Sequence, residues 1–182
     1  MNAINILTRI LQTLPAAALT ACSAVTPVRT VSHVDIDRFM GDWYVIANIP
    51  TSIEKQAYNP VENYTRINER EIATTFTFNK GGFDGPLKTY TPRGYISDDP
   101  SNAIWGMQFI WPVKADYRVV YLDDDYTRTV IGRNKLDYVW IMARTPQISD
   151  ADYREILAFI AELGYDTSKV RLAPQQKLDE TS

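Results

Sequence analysis

The chain has one cysteine and one histidine in 182 residues. A single cysteine excludes an internal disulfide, and one of each excludes a zinc site built from His and Cys ligands. The same scarcity removes nucleophile–base chemistry of the Ser–His or Cys–His kind: His33 and Cys22 both lie in the N-terminal stretch, outside the folded pattern. No run of 18 or more apolar residues occurs, so nothing reads as a transmembrane helix. Positive charge is not in excess. The 19 Lys+Arg stand against 22 Asp+Glu, a net charge of −3, which excludes a general nucleic-acid-binding footprint. Internal repeats and low-complexity stretches are also missing.

What is present is apolar and aromatic. Hydrophobic residues make up 45% and aromatics 12%, enough for a large core in one domain and too much for disorder. Residues 1–21 hold a single charge, Arg9, and the twelve residues Ile10 to Ala21 suit a signal-peptide core too short to span a bilayer. Leu19-Thr20-Ala21-Cys22 resembles the lipobox of bacterial lipoproteins. That resemblance implies diacylglycerol on the Cys22 thiol, cleavage before it and acylation of the new amino terminus. Ser23 after the Cys, where lipoproteins kept in the inner membrane have Asp, implies the outer membrane. Loss of Arg9 with the signal leaves a net charge of −4. On that average charge, anionic headgroups offer no attraction, and membrane affinity is expected from the acyl chains, at about 0.8 kcal/mol per buried CH₂. Residues 22–34 read as an extended, lipidated tether, and 176–182 as a polar tail.

From residue 35 the pattern organises. Asp35 to Met40 suits one helical turn closed by Gly41. The apolar period is then two, predicting strands at 43–47, 61–67, 72–78, 87–96, 104–110, 117–122, 127–131 and 138–143, the fourth irregular because of Pro92 and Gly94. Eight short strands with turn-rich connections predict a meander closed into a barrel or sandwich. The period changes after Ser149, a helix N-cap with Asp152 three residues on. Ile156, Phe159, Ile160 and Leu163 form one stripe, and Gly164 is a stop. Val170 and Leu172 predict a last short strand. Asp123-Asp124-Asp125 lacks the Gly and Glu of a calcium loop and reads as a turn. Asn63-Tyr64-Thr65 is a sequon by letters but sits in a strand. Lys80-Gly81-Gly82 precedes no helix and is a hairpin, not a phosphate cradle.

Gly41-Asp42-Trp43-Tyr44, placed after a helical turn and opening the first of eight strands, resembles the lipocalin G-x-W motif. The wider blocks GDWYVIANIP, YLDDDYTRTVIG and LDYVWIMARTPQISD are similar in order and spacing to the bacterial outer-membrane lipocalins and their animal relative apolipoprotein D. The resemblance covers residues 35–175 and implies an all-β domain with one C-terminal helix. Its barrel would be eight-stranded, antiparallel and up-and-down, a calyx with the helix packed outside. It also implies that Gly41, Trp43, Tyr44 and Arg144 are fold residues, with the Arg144 guanidinium across the Trp43 indole at the closed end. The family's second motif corresponds to Lys135-Leu136-Asp137-Tyr138.

Strict alternation then places side chains inside. Val45 and Ala47 follow Trp43; Trp105, Met107 and Phe109 share a face against Gly106 and Gln108. Tyr117, Val119 and Tyr121 oppose Arg118, and Tyr138, Trp140 and Met142 share parity with Arg144. These eleven residues, Val45 through Met142, are the expected cavity lining. An eight-stranded barrel encloses side chains or one small ligand. The resemblance implies the second, a fatty acid or lysophospholipid, with no metal, no cofactor and no catalysis. The expected protein is a lipid-anchored carrier facing the periplasm from a bacterial outer membrane. Its expected tasks are lipid storage, transport or envelope maintenance. A filled barrel with an envelope structural or interaction role, and a small enzyme using carboxylates and tyrosines, are the other readings. The sequence leaves a homodimer open.

Overall fold

A computed structural model describes residues 26–176. The signal segment, Cys22 and most of the polar tail lie outside those residues. The chain enters at Thr26 and is docked, not free, from Val28 onward. The Val28 amide donates to Asn134 Oδ1 at 2.9 Å, that of Val31 to the Val119 carbonyl at 3.0 Å, and that of Val34 to Ser101 at 2.7 Å. The expected tether is therefore extended but pinned along the barrel, because Val34 buries completely and draws the segment down with it.

Helix α1 (Ile36–Phe39) is one turn, capped by Asp35, whose carboxylate accepts from the Asp37 and Arg38 amides. The strands are β1 (Gly41–Asn48), β2 (Ala57–Arg66), β3 (Glu71–Lys80), β4 (Leu87–Tyr90), β5 (Arg93–Ile96), β6 (Ile104–Ile110), β7 (Val113–Leu122), β8 (Arg128–Gly132), β9 (Trp140–Ala143) and the two-residue β10 (Arg171–Leu172). Neighbours pair antiparallel in chain order, and β9 returns to β1, closing the sheet. β4 and β5 both pair with β3 and are two halves of one irregular barrel strand. Pro92 separates them, since it has no N–H for the ladder. The barrel therefore has eight strands, with β10 added at the edge of β1.

Helix α2 (Asp150–Glu162) begins at Ser149, whose hydroxyl accepts from the Asp152 amide. It ends in a Schellman arrangement: Gly164 donates to Ala161, Tyr165 to Ile160, and Gly164 takes φ +98°. Ile156 and Ile160 bury against the outer wall of the barrel. The core thus forms two layers. One fills the lumen; the other lies between barrel and helix.

A candidate ligand cavity in the barrel

The end of the barrel under α1 is plugged by aromatic rings. Phe39 packs on Trp43 (centroids 5.1 Å) and edge-on to Trp105 (5.5 Å), and Trp105 stacks on Tyr117 (5.2 Å, 13°). Trp43 donates its Nε1–H to the Phe39 carbonyl at 2.8 Å, so the indole is buried with its polar atom satisfied. Arg144 closes this end from outside. Its guanidinium carbon lies 3.8 Å from the Trp43 ring centroid. Gly41 takes φ +92°, a conformation that L side chains rarely adopt, so the backbone here calls for glycine. Tyr44 lies in the layer beneath the helix.

Above the plug lies a cavity of about 280 Å³, at the lower edge of the roughly 300–1,000 Å³ usual for ligand sites. It opens where the β1–β2, β3–β4, β6–β7 and β8–β9 connections meet. Phe76, Met107, Ile131, Trp140 and Met142 supply most of its wall, and Phe109 stands half exposed at the mouth.

Of the residues expected inside by alternation, Val45, Trp105, Met107, Tyr117, Val119, Trp140 and Met142 lie in or against the lumen layer. Met107, Tyr117, Trp140, Met142 and Phe109 border the cavity itself, whereas Val45, Trp105 and Val119 pack without reaching it. Ala47, Tyr121 and Tyr138 correct the expectation: they belong to the layer beneath the helix. The register of β1 shifts between Val45 and Ala47, and that of β7 between Val119 and Tyr121. At each shift two successive side chains face outward, so parity reverses beyond it. Tyr121 meets Phe159 of α2 at 5.6 Å, and Tyr138 precedes β9, where no ladder fixes its side.

Alternation among the apolar residues misses the polar groups of the lumen. Glu62 of β2 opposes Trp43 and Phe76 across its two ladders and so points inward. Its carboxylate accepts from the Tyr64 hydroxyl, which lies 2.7 Å from that of Tyr117. Burial pushes Glu62 up to about 7, against the smaller opposing pull of the Tyr64 bond, and the nearby Glu54 adds repulsion. Burial also raises both tyrosines well above their usual value. Glu54, in the β1–β2 connection, accepts from Trp140 Nε1 at 2.6 Å and from the Thr51 amide at 2.9 Å. At the end of β8, Arg133 borders the cavity, 3.4 Å from Asp137, and its Nε–H is buried without a hydrogen-bond partner. Glu62 shares parity with Tyr64, but a register shift between Tyr58 and Val61 breaks the alternation further back in β2.

A closed antiparallel barrel with a sealed aromatic floor and an apolar, one-ended cavity defines a cup for hydrophobic small molecules. Residues 34–175 match the family model described as a lipocalin-like domain, and the chain belongs to that family. It is 31% identical over 162 residues to the outer membrane lipoprotein Blc of Escherichia coli (strain K12), across 82% of this chain and 85% of that protein. Apolipoprotein D of Bos taurus is 24% identical over 160 residues, covering 82% and 81%. Among solved structures, insecticyanin of the tobacco hornworm Manduca sexta superposes with a TM-score of 0.64 at 16% identity, over 85% of this chain and 86% of that one. At that identity the likeness speaks for the fold.

Proposed function

We propose that the cavity holds a single-chain amphiphile, a fatty acid such as palmitate or a lysophospholipid, inserted tail first. The observation that carries this reading is the unpartnered Nε–H of Arg133 at the cavity wall. A buried donor without a partner is costly, and a carboxylate or phosphate oxygen at the mouth would satisfy it. Polarity inside argues for the same orientation. Glu62 sits at the floor, so an anionic head there would meet a carboxylate, while Met107, Ile131 and Met142 suit a methylene chain. Asp116 also borders the cavity, but its carboxylate is already held by Arg118 at 2.9 Å and by the Asn134 amide at 2.8 Å.

In this reading the protein stores, moves or scavenges lipid for the cell envelope. Its 31% identity to a protein named an outer membrane lipoprotein, and the lipobox at Cys22, support anchorage in a bacterial outer membrane toward the periplasm. Mass spectrometry of lipids extracted from the natively purified protein, with palmitate and lysophosphatidylethanolamine titrations of wild type and Arg133→Gln, tests it. Binding of either lipid, weakened about tenfold or more by the loss of a charged hydrogen bond, is expected. A protein that carries no lipid and binds neither would be a filled barrel.

A further inference from the structure

The mouth of the barrel carries an apolar rim that the folded chain does not use. Ile110, Trp111 and Val113, at the β6–β7 turn, are 75%, 82% and 67% exposed, and Leu87 at the start of β4 is 65% exposed. Phe109 and Ile53 extend the same rim into the cavity entrance. Phe109-Ile110-Trp111-Pro112-Val113 is therefore five consecutive apolar residues, all in solvent. Such a run has no role within the fold, and an apolar patch of this kind marks a contact surface.

Charge and chain path identify what covers it. The chain has seven lysines, and four of them, Lys55, Lys80, Lys88 and Lys135, are exposed at this end, whereas Lys114 lies back over the Tyr95 ring, 3.6 Å from its centroid. The exposed acids at the mouth are Asp84 and Asp137, the second facing Arg133. The closed end carries the opposite balance: exposed Asp35, Asp37, Asp42, Glu69, Asp98, Asp124 and Asp125 outnumber exposed Arg38, Arg66, Arg70 and Arg93 by seven to four. The net charge of −3 hides this separation. The described chain also begins at the mouth. Val28 is held by Asn134, in the connection that follows β8, before the chain runs toward α1. Val28 stands six positions after Cys22, a reach of at most about 20 Å.

We propose that the protein stands mouth-down on an anionic lipid bilayer, with the Phe109–Val113 turn and Leu87 in the interfacial layer and the four lysines against the headgroups. An indole among aliphatic side chains, ringed by lysines, is the composition the interface selects. Membrane attraction thus comes from the rim as well as from acyl chains, and the cavity opens onto the surface that supplies amphiphiles. The rim would act in this way whichever lipid occupies the lumen.

Two measurements on the full chain test this, using vesicles of phosphatidylethanolamine and phosphatidylglycerol. In wild type held by its anchor, brominated acyl chains should quench a fluorescence component that Trp111→Phe removes, since Trp43 and Trp105 are buried in the floor; quenching of Trp140 in the cavity wall would persist in that variant. In the Cys22→Ser chain, Trp111→Ser with Val113→Ser should lower vesicle partition by roughly tenfold or more. Each Lys→Ser at 88 or 135 should lower it about fivefold, with added salt acting in the same direction. The signal segment is common to all these chains, so differences report the rim, and circular dichroism checks the fold. Unquenched Trp111 in membrane-held protein, or equal flotation of the rim variants, overturns the proposal. Rim substitutions that convert a dimer to a monomer without changing flotation also overturn it, giving the surface to a second copy.

Discussion

Arg144 lies flat over Trp43 and at the same time closes the carbonyl end of α1. Its Nη2 donates to the Arg38, Phe39 and Met40 carbonyls at 2.9, 3.1 and 2.8 Å, and its Nη1 to Asp42 at 2.7 Å. One guanidinium thus ties the last barrel strand to the first strand and to the helical turn before it. Only a planar, multiply donating cation fits that arrangement.

Arg144→Ala should therefore destabilise the protein by about 2–4 kcal/mol, because several charge-assisted bonds and the stacking on the indole disappear together. Arg144→Lys should recover less than half of that. Urea unfolding reads both. Palmitate affinity, measured on the folded fraction, should not change, because Arg144 lies beyond the aromatic floor.

Glu62 predicts a pH dependence. Its carboxyl is raised from 4.5 to about 7 in the folded protein. Between those values the folded state holds a proton that the unfolded chain has released. Its contribution is therefore complete below pH 4.5 and is lost as pH rises to about 7. The full change is on the order of 3 kcal/mol, since each tenfold difference in proton affinity is worth about 1.4 kcal/mol. Glu62→Gln should flatten this part of the stability profile and be the more stable form at pH 8. Unfolding midpoints at pH 5 and 8 for both proteins check it; parallel profiles would mean that Glu62 is solvated through the lumen.

Met107 and Gln108 separate the two faces of β6. Met107 is buried in the cavity wall and accepts from the Thr74 hydroxyl at 3.7 Å, whereas Gln108 meets the Tyr95 hydroxyl at 3.4 Å on the outer face. Met107→Glu should weaken palmitate binding by more than about tenfold, since an unpaired carboxylate would face the chain. Gln108→Glu should leave it unchanged. Fluorescence titration of the two variants reads the difference.

Tyr121 tests the parity reversal in β7. Tyr121→Ala should cost about 1–3 kcal/mol, because Phe159 of α2 is left without the ring it packs on, with ligand affinity intact. Weakened palmitate binding at unchanged stability would return Tyr121 to the lumen.

The elements whose period is uniform were legible in the sequence: β3 and α2, the last with its cap and stop. Gly41 and Trp43 marked the closed end. The bulges in β1 and β7 were not legible, because an extra residue changes the facing of Ala47 and Tyr121 without changing composition. Glu54, Glu62 and Arg133 escaped for a different reason. A search for an apolar interior passes over charged residues, and only three-dimensional placement shows that Trp140, Tyr64 and the cavity wall surround them. Trp111 and the lysines were visible as letters, but their gathering at one end depends on which turns share that end.

The path of the chain ends also governs how the molecule can be handled. Arg171 pairs with Asn48 at the mouth and Gln175 donates to the Val45 and Pro60 carbonyls, so the described C-terminal segment runs from the mouth down the outer wall, whereas the described N-terminal segment is held at the mouth at Val28. A bulky group fused close before Val28 would crowd the opening and the apolar rim. The β2–β3 turn at Asn68-Glu69-Arg70 lies at the opposite pole, exposed and away from both. A label or surface-coupling residue placed there leaves the entrance unobstructed.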